Sequence, residues 1–232
     1  MEFEPKVDFE SDYEEEEDPQ RWHQRRQLEP NDLRLYLIRR TVLQMLRDRG
    51  YQVGDMEIAM SREDFWQKFG NNIKRPELET VRPKIANPTD QIFVFFPEEA
   101  KVGVTVIKRY AEIMKEHKVK LAILVLQRKL TLYGRQSISE MSGKYRIEVF
   151  QEAELLVNIK DSVLVPEHHV LTDDEKKTIM ASFNASSAQM PRLLEDDPVA
   201  RYFGLKKGQM VKIVRRGQNA ADSDSVSYRL LV

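Results

Sequence analysis

The 232-residue chain contains no cysteine. That absence removes disulfide frameworks, thiolate nucleophiles and sulfur-ligated zinc together, and it fits a reducing compartment. No run approaches the ~18 consecutive apolar residues of a membrane span. The first residues are acidic where a secretory leader would be basic and then apolar, so neither a membrane partner nor export is expected. The sequence also lacks the phosphate-cradling G-x-x-x-x-G-K-[ST], the dinucleotide G-x-G-x-x-G and the nucleophile-bearing G-x-S-x-G, which leaves nucleotide hydrolysis and serine hydrolase chemistry without an anchor. Histidine is scarce: His23, His117 and the adjacent pair His168-His169 are all there is. Neighbouring histidines on an extended chain point to opposite sides, so without cysteine a zinc site would need unusual carboxylate help, and no metal or cofactor is expected.

What is present is enough apolar residue, 41% of the chain, for one large or two small cores. The net charge of -1 conceals a strong asymmetry. Residues 1–18 hold ten acids and one base, residues 144–232 balance, and the compensating excess of +8 falls in residues 19–143. A cationic surface of that kind favours polyanions. The acidic head has no helical apolar period and too little to bury, so residues 1–30 read as a disordered tail.

Beyond it, Asn31 or Asp32 is placed to cap a helix with apolar positions Leu35, Ile38, Val42, Met45 and Leu46, stopped by Gly50. Ser61 and Asp64 predict the start of a short helix that puts Phe65, Trp66 and Phe69 in the core, closed by Gly70. The segment containing Pro76, Pro83 and Pro88 reads as loop. Ile92–Phe96 and Leu121–Leu126 read as buried strands on either side of an amphipathic helix, Val104–His117, with a further strand over Tyr145–Phe150. In the last third, Thr172 and Glu175 form a capping box, Asp196 or Asp197 caps a helix with Pro198 at its first position, and Gln209–Arg215 with Ser225–Leu231 reads as a hairpin. With the strand over Tyr145–Phe150, residues 31–150 read as an α/β layer of helices covering a small mixed sheet; the fold class expected is α/β (α+β), with domains drawn at 31–143 and, as a small α+β module, 144–232.

Several phrases are more specific than a pattern. Gln44-Met-Leu-Arg-Asp-Arg-Gly-Tyr51, Pro97-Glu-Glu-Ala-Lys-Val-Gly-Val104, Phe150-Gln-Glu-Ala-Glu-Leu-Leu-Val-Asn-Ile159, Leu164-Val-Pro-Glu-His168, Leu171-Thr-Asp-Asp-Glu-Lys176, Met190-Pro-Arg-Leu193, Asp197-Pro-Val-Ala-Arg-Tyr-Phe-Gly-Leu205 and Ser227-Tyr-Arg229 stand in one order and register. Together they resemble the shared fifth subunit of eukaryotic nuclear DNA-directed RNA polymerases, over about Leu33 to Val232. The resemblance implies a nuclear, non-catalytic subunit with no cofactor. Its N-terminal domain would belong to the jaw around downstream duplex DNA. Its C-terminal assembly domain, similar to a small subunit of archaeal RNA polymerase, would dock on the largest polymerase subunit. Other polymerase subunits and transcription factors are the further partners it implies. An alternative is a paralogue confined to one polymerase, or a regulator acting off the enzyme.

The resemblance maps the approach to DNA onto the turn Gln127-Arg-Lys-Leu-Thr-Leu-Tyr-Gly134, where family members commonly follow the threonine with proline and small residues and this chain has Leu132, Tyr133, Gly134 and then Arg135. Arg128, Lys129 and Arg135 are expected to neutralise phosphates and Thr131 to donate to one, contacts that position a duplex without reading its sequence. Pro166, His168, Arg192, Asp197, Arg201, Tyr202, Lys212 and Arg229 are the expected docking residues. Nuclease chemistry is the enzymatic rival, through Asp90 and the E-x-K of Glu99 and Lys101. Pro97 and Glu98, however, put Glu99 in the turn before a helix, where a carboxylate serves the helix dipole. Trp22 and Trp66 are read as core or tail packing rather than as stacking platforms for single strands.

Overall fold

The computed structural model describes residues 30–70, 73–216 and 224–232. The readings made for the acidic head, Trp22 and His23 lie outside them. Helix α1 (Pro30–Asp48) carries the predicted stripe, with Leu35, Ile38, Val42, Met45 and Leu46 each at most 2% exposed. It begins earlier than expected, so Asn31 and Asp32 are not caps. Both lie in its first turn, where the buried Asp32 carboxylate faces the positive end of the helix dipole. After α2 (Asp55–Ile58), helix α3 (Arg62–Phe69) starts as predicted, with Ser61 Oγ accepting the Asp64 N–H at 3.1 Å. Only Phe65 of its aromatics is fully buried. Trp66 is 39% exposed, because the helix lies on the surface and its one apolar face is spent on Phe65 and Phe69.

The proline-bearing segment is not all loop. A 3-10 turn (Arg75–Leu78) leads into β1 (Thr80–Pro83), which runs antiparallel to β2 (Gln91–Phe95) in the register Thr80↔Val94 to Pro83↔Gln91. Pro83 is tolerated because β1 is an edge strand. Helix α4 (Val104–Glu116), β3 (Leu121–Leu126), α5 (Leu132–Met141) and β4 (Arg146–Gln151) follow, and the sheet order is β1-β2-β3-β4 with the last three parallel. Alternation along β2 and β3 explains their continuous apolar runs. Ile92, Val94, Ile123 and Val125 pack beneath α1, while Phe93, Phe95, Ala122 and Leu124 pack against Ile107, Tyr110 and Met114 of α4. The boundary expected at 143/144 does not fall between the sheets, since β4 pairs with β3 from Leu121↔Arg146 to Leu126↔Gln151 and completes the first one.

The short α6 (Glu152–Leu155) and a 3-10 turn (Ile159–Asp161) lead to the second unit: β5 (Glu167–Val170), α7 (Asp173–Ser182), β6 (Arg192–Leu193), α8 (Pro198–Phe203), β7 (Met210–Arg215) and β8 (Ser225–Leu231). The predicted hairpin forms between β7 and β8, and the sheet order is β5-β7-β8-β6. Val211 and Ile213 pack with Ala200 of α8 on one face; Met210 and Leu230 pack with Ile179 and Met180 of α7 on the other.

The two units meet along α8. Arg49, just past the end of α1 and 4% exposed along its side chain, donates from Nη2 to the Arg201 carbonyl and from Nε to the Tyr202 carbonyl, each at 2.7 Å, and from Nη1 to Glu148 at 2.8 Å. Arg146 Nη2 donates to the carbonyls of Gly204 (3.2 Å) and Leu205 (2.7 Å). Two cations therefore gather on carbonyls at the negative end of α8, the Arg201 carbonyl accepting from the Gly204 N–H as well as from Arg49. Tyr202 reaches into the first core, and its hydroxyl donates to Asp48, which also holds Lys160, at 2.7 and 2.8 Å.

Gly204 is where this contact tolerates least. Its φ is +60°, and a Cβ there would stand 2.7 Å from Arg49 Nη1. Gly204→Ala is expected to cost about 2–3 kcal/mol, measured as a lowered denaturant midpoint. Gly208→Ala, at φ +84° with no atom within 4 Å of its Cβ, isolates the backbone strain and is expected to cost about 1 kcal/mol. Equal losses would show that Arg49 yields freely.

Candidate nucleic-acid and docking interfaces

Parallel β2 and β3 end on the same side of the sheet, which brings the loops after them together. Gln127 Nε2 donates to the Glu98 carbonyl at 2.9 Å, and the Thr131 N–H donates to the Val102 carbonyl at 3.2 Å. From below, the buried Arg75 guanidinium donates from Nε to the Pro97 carbonyl at 2.6 Å and from Nη2 to the Val125 carbonyl at 3.2 Å. Arg75 is itself paired with Glu152, which also accepts from Arg34 of α1 at 2.9 Å. The turn at 127–131 thus stands on a fixed base.

The sequence missed the helix that follows this turn, α5, whose cap is Thr131. The threonine Oγ1 accepts the Gly134 N–H at 3.0 Å and donates to the Val102 carbonyl at 3.3 Å. Its one hydroxyl hydrogen is used inside the fold, so Thr131 is not the phosphate donor it was expected to be. Arg128, Lys129 and Arg135 are exposed, and none of them takes part in an ion pair of the described residues. Between them Leu132 and Tyr133 stand 76% and 72% exposed. Three unpaired cations around two exposed apolar side chains, at the start of a helix with no acid in its first turn, make an electropositive tip.

The expected docking residues divide. Asp197 caps α8 by accepting the N–H groups of Val199 (2.8 Å) and Ala200 (3.1 Å). Arg201 pairs with Glu154, donates to the Val149 carbonyl at 2.6 Å and lies 4.7 Å from the centroid of the Phe150 ring. Tyr202 is 3% exposed. These three bind the chain to itself, and the expectation that they face a partner is corrected on that ground. Burial raises the Tyr202 pKa, and its hydrogen bond to the Asp48 carboxylate raises it further.

Pro166, His168, Arg192, Lys212 and Arg229 all belong to the second sheet or its margin, but they do not share one face. Side chains directly opposed in a ladder point the same way. His168 lies opposite Ile213 and Arg229 opposite Val211, on the α8 side, whereas Lys212 lies opposite Tyr228 and His169 on the α7 side. Pro166 adjoins His168, whose Nδ1 is 2.6 Å from the Pro166 carbonyl. The exposed Arg192 accepts from Arg229 through its own carbonyl at 3.4 Å. Sequence reasoning missed a more prominent feature: Val157, Val163 and Leu164 are 71%, 100% and 92% exposed on the segment between α6 and β5. The available signal was Asp161-Ser-Val-Leu-Val-Pro166, an apolar triplet too short for an element and flanked by turn residues.

The groups weighed for chemistry are spread out. Asp90 precedes β2 and Glu99 follows it, so they sit at opposite ends of a strand about 17 Å long, and Glu99 pairs with Arg109 at 3.3 Å. Among the described residues no three His, Cys, Asp or Glu side chains gather as a metal site. A cleft of about 640 Å³ between β4 and α8 is lined by Arg146, Glu148, Phe150 and Arg201. Glu148 is held there between Arg49 and Arg146 at 2.8 and 3.2 Å, as a structural anion.

Against this geometry stand the comparisons with known proteins. The family model described as RNA polymerase Rpb5, N-terminal domain, matches residues 29–114, and that of RNA polymerase Rpb5, C-terminal domain, matches residues 157–231. The chain is 44% identical over 204 residues to the Caenorhabditis elegans protein named DNA-directed RNA polymerases I, II, and III subunit RPABC1, covering 86% of this chain and 96% of that one. It is 43% identical over 203 residues to DNA-directed RNA polymerase subunit 5-like protein 1 of Arabidopsis thaliana, with the same shares. Against DNA-directed RNA polymerase V subunit 5A of that plant, identity is 38% over 189 residues, 80% of this chain and 83% of the relative.

The Arg201–Glu154 contact has a pH signature. Burial alone would raise the Glu154 pKa, but hydrogen bonds from Arg201 and the Gln151 N–H hold it below the ordinary glutamate value. A folded-state pKa below the unfolded one gives stability that is full above the unfolded value and is lost as pH falls through the folded one. Glu154→Gln is therefore expected to be less stable than the native chain at pH 7, by on the order of 1 kcal/mol or less after solvent screening. The gap should begin to narrow as pH falls below the ordinary glutamate value of about 4.3 and go on narrowing through the lower folded-state pKa, in denaturation series run across pH; a gap that does not narrow on acidification would remove the ionic part of the contact.

Proposed function

Because the chain belongs to the RNA polymerase Rpb5 family, we propose that it is a non-catalytic structural subunit of nuclear DNA-directed RNA polymerases, acting in transcription in the nucleus. The observation that carries this reading is the match of both family models, in order, together with 44% identity over 96% of a relative named as a subunit shared by polymerases I, II and III. The lower identity to the polymerase V subunit favours the shared role over a specialised one.

Within it, the first unit is a jaw whose tip, Arg128, Lys129 and Arg135, faces the phosphates of downstream duplex DNA. Charge contacts of this kind are indifferent to base sequence and suit an enzyme that moves along its template. The second unit docks on the largest polymerase subunit through the exposed Val157, Val163 and Leu164, with Pro166 and His168 beside them. Three apolar side chains at 71% exposure or more gain by burial against a partner. Arg192, Lys212 and Arg229 lie on the other strands of the second sheet, Arg192 on the edge opposite β5, and are further docking residues in this reading.

Affinity purification of the tagged full chain, with mass spectrometry of what accompanies it, tests the assignment. The large subunits of all the nuclear polymerases are expected. The double variant Val163→Asp, Leu164→Asp is expected to lose them about tenfold or more while keeping the native unfolding midpoint, since neither side chain is buried. Recovery of no polymerase subunit with the native chain would overturn the reading, and recovery of one set alone would make the chain a specialised copy.

A further inference from the structure

Arg39, midway along α1, has a side chain only 11% exposed, yet its guanidinium takes part in no hydrogen bond among the described residues. Its nearest carboxylate, Glu57, is 3.7 Å away and already engaged: Glu57 accepts from Arg82 Nη2 at 2.6 Å and from the Gly54 N–H at 3.2 Å. Two guanidinium groups thus share one carboxylate, and Arg39 holds the poorer half of it. Burial lowers the Arg39 pKa, Glu57 raises it, and Arg82 lowers it again. A buried guanidinium whose fork of N–H donors is unspent is unfavourable unless an acceptor comes to it.

The space beside Arg39 suits an acceptor of negative charge. A cleft of about 180 Å³ lies between α1, α3 and β1, with Arg39, Lys68, Phe69, Leu78, Thr80 and Arg82 in its lining. The Phe69 ring holds both Arg39, whose Cζ is 5.4 Å from its centroid, and Lys68, whose Nζ is 5.6 Å from it. Three carboxylates border the cleft as well. Glu57 is spent on the arginines, Glu77 is exposed to solvent, and Glu79 accepts the Phe96 N–H at 3.2 Å and the Tyr110 hydroxyl at 3.1 Å. Glu57 and Arg82 are the charges that bear on Arg39, so two cations against one anion leave a positive excess there. The cleft shares no lining residue with the tip at 127–135.

We propose that this cleft binds a small oxyanion of the phosphate class, free or as the end group of a small ester. The Arg39 fork donates to two of its oxygens, the geometry in which guanidinium groups hold phosphate, and Lys68 supplies a second charge from α3. A multiply charged anion is favoured over a carboxylate, because Arg39 and Lys68 approach from two helices and each negative charge finds a cation. Bound there, the anion links α1 to α3, which otherwise meet through apolar packing around Phe65 and Phe69.

Titration of the full chain with inorganic phosphate up to ~20 mM, at a constant ionic strength of ~0.15 M, is expected to shift the amide signals of residues 68–69 and 80–82 and to saturate. Arg39→Gln is expected to weaken the affinity about tenfold or more, and Lys68→Gln about threefold. Lys68 is exposed, so its variant keeps the native unfolding midpoint and stays informative if Arg39→Gln does not fold. Acetate at the same concentration is expected to leave these signals in place. Phenyl phosphate separates the two sources: binding as tight as that of phosphate assigns the site to an ester, and no binding assigns it to the free anion. Shifts that fail to saturate, that scatter over the exposed cations of residues 128–135, that persist at full strength in Lys68→Gln, or that acetate reproduces would overturn the proposal.

Discussion

A charge that is taken out of water must find its partners inside the fold, and Arg49 imposes that requirement on the whole chain. Its guanidinium is satisfied only when α1, β4 and α8 are all in place, because its acceptors are Glu148 and the carbonyls of residues 201 and 202. Losing one partner of a buried ion pair costs about 3–5 kcal/mol in general, so partial arrangements of the two units are strongly disfavoured. The directional part of the contact lies at the end of a helix, where backbone carbonyls point along the axis toward the arginine donors. Apolar packing around Tyr202 supplies area, and Arg49 with Arg146 supplies orientation.

Much of the fold was legible because it is written in periods and caps. The helix stripe of α1, the capping boxes at Ser61 and Thr172, the Asp197 and Pro198 start of α8, and the hairpin of β7 with β8 all follow from local chemistry and are all observed. What was not legible depends on a distant partner. The strands β1, β5 and β6 have two to four residues and weak patterns, and they exist because β2, β7 and β8 offer free edges. The strand over Tyr145–Phe150 was legible as a further member of the first layer, and β4 does pair there with β3, although the domain limit drawn at 143/144 cut it off.

The interfaces show the same limit in another form. Asp197, Arg201 and Tyr202 stand in a segment whose residue types suit a contact surface, and they do form one, but with the other half of the same chain. A sequence records that an arginine has a demanding partner without recording whether that partner is covalently continuous with it. Arg49 itself reads as an ordinary solvated helix end in Arg-Asp-Arg-Gly. Arg128, Lys129 and Arg135, singled out through the resemblance, are exposed side chains, as expected of cations on a turn that leaves a buried strand.

The first sheet is covered on both sides, by α1 beneath and by α4 and α5 above, and Arg75 pins the ends of two of its strands to α6. Such a slab has little room to flex, since bending it would open gaps in two close-packed layers at once. Mechanically it is a stiff lever: a push delivered at the tip arrives at α8 as rotation of the whole body, with little lost to internal deformation.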